Sequence, residues 1–159
     1  LAIHLRGSDK ASARVKTQPR WFEPYIADFF GRFPHGLVIV ATDSGGFADL
    51  VQRQWRTRWG RARVMLTHST TRVRGAVGNF RAFVRLDQMT VAREVLLDIQ
   101  VMAAADYFLH TASAVAEAVI YTNPKLHCRS THLEYEHNAS LDAPWLRGVE
   151  EARRAAGLC

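Results

Sequence analysis

The residues able to do chemistry fall in three short polar segments, each directly after an apolar run. They are His4-Leu5-Arg6-Gly7-Ser8-Asp9-Lys10, Thr42-Asp43-Ser44-Gly45-Gly46 and His110-Thr111-Ala112-Ser113. In the first, His4 and Arg6 share one face of a strand, because strand side chains alternate with period two. A guanidinium at a strand end, followed by glycine, is well placed to take a diphosphate, since its fork of N–H donors matches phosphate oxygens in pairs. The plainer alternative is a surface loop with an Asp9–Lys10 pair. Neither GxGxxG nor a P-loop occurs, so hydride transfer and nucleoside-triphosphate hydrolysis lack their signatures.

The elements that must position these segments are legible from periodicity. Leu1 to Arg6 is a short apolar strand. Pro19 suits a first helical turn, and Trp21, Phe22, Tyr25, Ile26, Phe29 and Phe30 then recur at helical spacing. Leu37-Val-Ile-Val-Ala41 is the continuous run expected of a strand buried on both faces. Ser44 suits the N-cap of a second helix carrying Phe47, Leu50, Val51 and Trp55. Arg63 to Leu66 is a weaker third strand, and Thr67 to about Arg85 reads as a long loop. Met89 to Ala104 is the clearest helix, Asp106 to His110 a fourth strand, and Ala114 to Tyr121 a small-residue helix ended by Asn123-Pro124. A last helix is expected over roughly Trp145 to Ala156, with Gly157 closing it. This alternation predicts an α/β fold, a Rossmann-like parallel sheet with helices on both faces. Such sheets bind ligands at the carboxyl ends of their strands, where all three polar segments should converge on one crevice.

Composition bounds the alternatives. The chain has 159 residues, enough for one domain and short for two, and no apolar run approaches the ~20 residues that span a bilayer. It opens almost directly on a strand, which suggests a piece of a longer protein. The formal net charge is +6 and the basic residues are nearly all Arg. Arg53, Arg56, Arg58, Arg61 and Arg63 form a cluster that could attract nucleic acid. Trp55 and Trp59, however, share a helical face and read as core rather than as a base-stacking platform, so a basic module binding RNA is the lesser reading. Cys128 and Cys159 make no CxxC pair, though one bridge between them is open. His127, His132 and His137 read as solvated surface histidines before they read as a zinc site.

The motifs resemble those of one superfamily. His4-Leu-Arg6-Gly-Ser-Asp9-Lys10 resembles the His-x-Arg-Arg/Gly-x-Asp-Lys motif of the α1,6-fucosyltransferases, protein O-fucosyltransferases and nodulation fucosyltransferases. Val40-Ala-Thr-Asp43 resembles their second motif, and Leu96-Leu-Asp98-Ile with Ala105-Asp-Tyr-Phe and Thr111-Ala-Ser113 their third. The stretch Ala118 to Leu126 is similar to the nodulation branch, and the resemblance runs in order from residue 1 to about 136. It implies the carboxyl-terminal half of a GT-B glycosyltransferase, here residues 1–159, which holds GDP-fucose and inverts at fucose without a divalent metal. It further implies His4 and Asp98 at the guanine, Arg6 at the β-phosphate with Lys10 in the same motif, Asp43 at the nucleotide, and Thr111 and Ser113 near the phosphates. The acceptor, a glycan or protein hydroxyl, would dock against the other, amino-terminal half.

The residues carry other readings beside these. Asp98 could be a solvated helix residue, while Asp43 and Ser113 could be ordinary N-caps. The remaining alternative is a GDP-sugar domain of another, or inactive, glycosyltransferase. Three departures from the family pattern matter. Gly7 stands where many members have a second Arg, but other branches also show Gly there, so it reads as a branch marker. Ala11 to Arg14 holds no acid where the α1,6 enzymes have one, and Ser44 stands where many of them have a second acid after Ala-Thr. Asp9 is then the candidate base for the acceptor, with a base from the other half as its rival. Asn138-Ala-Ser140 matches a glycosylation sequon. The address stays open between the Golgi or ER lumen and the cytoplasm.

Overall fold

The computed structural model describes residues 1–7, 18–73, 87–133, 151, 153–157 and 159. Five strands form one parallel sheet: β1 (Ala2–Leu5), β2 (Val38–Thr42), β3 (Val64–Leu66), β4 (Phe108–His110) and β5 (Ser130–His132). Their order is β3-β2-β1-β4-β5, and every pairing is parallel. This is the doubly wound, Rossmann-like α/β arrangement that the strand–helix alternation predicts. The edge strand β5 is three polar residues, Ser-Thr-His, paired along one side only.

Period-two alternation divides the apolar residues between two layers. Ile3, Leu5, Val38, Val40 and Leu109 pack on one side with Phe22, Ile26, Phe29 and Phe30 of the first helical region, and with Val51 and Trp55. Ala2, Ala41 and Phe108 pack on the other with Ile99, Met102, Ala103, Ala116 and Val119. The first layer uses α1 (Glu23–Arg32), preceded by a 3-10 turn that begins at Pro19, and α2 (Gly45–Leu50). The second uses α4 (Gln88–Ala103) and α5 (Ala114–Thr122).

Where periodicity predicts one helix past Phe47, the chain forms α2, a π turn over Val51–Trp55, and α3 (Arg56–Trp59). The wider turn carries Val51 and Trp55 into the core, where both are buried. Trp55 satisfies its indole by donating to Glu23 Oε1 at 3.2 Å, and Glu23 Oε2 accepts from Arg58 at 3.0 Å. Arg63 lies 3.9 Å from the centre of the Phe30 ring. Arg56 donates to the Arg61 carbonyl at 3.4 Å. Three of the clustered arginines therefore serve intramolecular contacts, and Trp55 and Trp59 pack with the core as their spacing suggests.

Cys128 and Cys159 are joined by a disulfide with a Cα–Cα distance of 6.0 Å. It ties the carboxyl terminus to the turn before β5, where Arg153 also donates to the carbonyls of His127 and Ser130. Gly157, expected to close the last helix, has φ +67. Residues 134–150, with most of that expected helix, the sequon and His137, lie outside the described residues, as do 74–86 of the expected long loop.

Candidate functional site

The chain winds from β1 through β2 to β3 and then crosses to β4 on the other side of β1, so the winding direction reverses between β1 and β4. The crevice at the carboxyl end of such a pair is where doubly wound sheets hold their ligands. Three hydrogen bonds close around it. Gly7 N donates to Asp43 Oδ1 at 2.8 Å, Thr42 Oγ1 donates to the Leu5 carbonyl at 2.7 Å, and Ser113 Oγ lies 3.1 Å from His4 Nδ1. The three polar segments thus meet at one sheet edge.

Local chemistry explains each position. Ser44 is extended and accepts from Phe47 N at 3.4 Å, so it caps α2 and leaves the neighbouring Asp43 carboxylate for Gly7. Ser113 is likewise extended and accepts from Ala116 N at 3.0 Å, capping α5. The same hydroxyl reaches His4, so the capping role and a place at the crevice hold together. Gly7 is required by contact: a Cβ there would stand 2.7 Å from the Phe47 ring and 2.8 Å from Ser44 Cβ. Arg6, half-buried, sits between His4 and Gly7. Thr111 is fully buried, and its hydroxyl has no hydrogen-bond partner among the described residues. Asp9 and Lys10 lie outside the described residues.

Asp98 belongs to a neighbouring cluster after β2 and β3. Burial raises its carboxyl pKa above the usual carboxylate range; the Thr67 hydroxyl and Arg72 oppose the shift, and Glu94 adds to it. Half-buried on α4 among these groups, Asp98 is not the solvated helix residue of its plainer reading.

This cluster is what sequence reasoning missed. Arg72 donates to the Thr42 carbonyl at 3.2 Å, to the Ser69 carbonyl at 3.0 Å, and to the Thr67 carbonyl. Burial pulls its guanidinium below the ordinary value, against the pull of Asp98 and Glu94. Glu94 accepts from Ser69 Oγ at 2.8 Å, Thr70 N at 2.8 Å, Thr70 Oγ1 at 2.7 Å and Thr71 N at 3.2 Å. Desolvation works against its charge, but the donors from Thr70, Thr71 and Ser69 prevail and hold its pKa at about 2. Residues 67–72, read from sequence as loop, are therefore fixed at the rim of the crevice. The available signal was the i, i+4 pair Glu94 and Asp98 on α4, facing a Ser-Thr-Thr-Arg run with no period of its own.

His132 also departs from expectation. It is not a solvated surface residue: its ring lies 5.1 Å from that of His110, edge to face. Burial, then the neighbouring His132, draw the pKa of His110 down to about 4, with the Thr111 carbonyl opposing and His4 and Arg153 adding. Among the described residues, no group of three or more His, Cys, Asp or Glu could hold a metal ion.

Fold and crevice together define a Rossmann-like α/β domain with a polar site at its topological switch point. No protein-family model matches the chain, and no curated protein matches it.

Proposed function

We propose that this domain is the donor-binding half of an inverting, GDP-fucose-dependent fucosyltransferase. The observation that carries the reading is the meeting of the three motif segments at the switch point, through Gly7–Asp43 and His4–Ser113. In this reading Arg6 neutralises the β-phosphate of departing GDP while an acceptor hydroxyl attacks the anomeric carbon of fucose. The amino end of α5, capped by Ser113, adds its partial positive charge beside the phosphates. The Thr111 hydroxyl, without a hydrogen-bond partner among the described residues, supplies a further donor. A carboxylate selects guanine over adenine because only guanine presents the N1–H and N2 donor pair. Asp98 takes that part, and its raised pKa falls once the two donors reach it. The acceptor base is Asp9 or a residue of the other half.

Calorimetry tests the reading. GDP-fucose should bind with micromolar affinity, and Arg6→Ala should abolish the heat while the far-ultraviolet circular dichroism is unchanged. Binding indifferent to Arg6, or preference for RNA with a steep salt dependence, overturns it.

A further inference from the structure

One row of the sheet breaks its apolar pattern. His4 on β1, His110 on β4 and His132 on β5 are register partners, and Ala41 continues the row on β2. Residues in register on adjacent parallel strands project to the same face, about 4.8 Å apart. Three imidazoles therefore stand side by side on the face that α4 and α5 cover. His4 and His110 are buried, and His110 stacks on Phe108 with ring centres 4.8 Å apart. Parallel-sheet interiors are otherwise built of Val, Ile and Leu. Buried imidazoles forgo hydration for little packing gain, which makes their position at the ligand-binding edge informative.

Among the described residues, the groups around His110 disfavour its protonation on balance. His110 meets His4 from β1, His132 from β5, Arg153 from the carboxyl-terminal segment, and the Thr111 carbonyl at 3.3 Å on its own strand. From α5 comes the Ser113 hydroxyl. The α4 carboxylates Glu94 and Asp98 engage residues 67–72 instead. Without a ligand, protonating His110 adds a cation beside Arg153 and the other two imidazoles. A bound anion reverses that balance.

We propose that the His4–His110–His132 row couples ligand binding in this crevice to proton uptake: a diphosphate seated at the amino end of α5 draws protons from solvent onto the imidazoles. Ser113 links the two events. Its Oγ already accepts from Ala116 N, and it shares one further hydrogen bond with His4 Nδ1. A neutral imidazole can stand on either side of that bond, whereas an imidazolium only donates. Protonated His4 thus leaves the Ser113 hydrogen free to turn to a phosphate oxygen. The diphosphate's identity rests on the donor-binding reading above; the row's behaviour does not.

The test uses two diphosphate diesters whose charge is constant between pH 5 and 8: GDP-fucose, and ADP-ribose, which carries neither guanine nor fucose. Calorimetry in buffers of different ionisation enthalpy counts the protons taken up. The expected result is uptake approaching one proton near pH 6, with GDP-fucose affinity rising about fivefold or more from pH 8 to pH 6. His132→Gln, at the less buried end, should flatten this dependence, and His110→Gln should do the same if it folds. Pronounced binding of GDP-fucose with no proton uptake overturns the coupling and leaves the donor reading standing. Proton-coupled binding of ADP-ribose at least as tight as that of GDP-fucose overturns the donor reading and leaves the coupling. No binding of either ligand overturns both.

Discussion

At the scale of single residues, His110 joins structure to solution behaviour. Its pKa is about 4 in the fold, against an unfolded value near 6.5. The unfolded chain therefore binds the extra proton first as pH falls. Stability contributed by neutral His110 is complete above about pH 6.5 and is lost progressively down to about pH 4, by about 3 kcal/mol. Urea midpoints measured from pH 7 to pH 4 should fall accordingly, and His110→Gln should shallow that slope. Glu94 is the opposite kind of group. Held ionised by its donors, it should lose its grip on residues 69–71 only as pH drops from the ordinary Glu range towards 2. Glu94→Ala should speed hydrogen exchange at the Thr70 and Thr71 amides, with little change in the core. Unchanged exchange there would remove Glu94 from its ordering role.

At the scale of elements, Gly7 is the point where the loop after β1 passes closest to the start of α2. Gly7→Ala must displace the Phe47 ring or the Ser44 cap. That overpacking should cost about 1–3 kcal/mol and loosen the Gly7–Asp43 hydrogen bond, readable as a lower urea midpoint and, on the proposed donor-binding reading, as weaker GDP-fucose binding. The need for glycine at this position comes from these contacts, which no single-residue propensity contains. The helical interruption after Leu50 has the same origin. Val51 and Trp55 are four apart in both α- and π-geometry, so spacing alone does not separate the two. The choice rests on tertiary fit, with Trp55 buried and its indole bonded to Glu23.

At the scale of the whole molecule, the Cys128–Cys159 disulfide closes a loop over a sequence separation of 31. Chain-entropy arguments give such a cross-link about 3–4 kcal/mol. Cys128→Ser should lower the denaturation midpoint by a corresponding amount, and a reductant should do the same to the wild-type chain but not to the variant. The bond and Arg153 together hold the carboxyl-terminal segment beside β5, and Arg153 is in turn one of the charges felt by the histidine row. Stability of that segment and proton affinity of the row should therefore change together.

The sequence by itself determined the alternation of strands and helices, the N-caps Ser44 and Ser113, and the expectation that three polar segments share a sheet edge. These are local properties: period, capping chemistry and β-branched runs act over a few residues. Only the tertiary structure decided that Asp43 serves Gly7, that Arg72 and Glu94 fix residues 67–72, and that His4, His110 and His132 stand in one row. Each of these depends on strand order and register, which bring together residues far apart in the chain. No local pattern encodes which strand becomes whose neighbour; the burial of both sheet faces at once selects it.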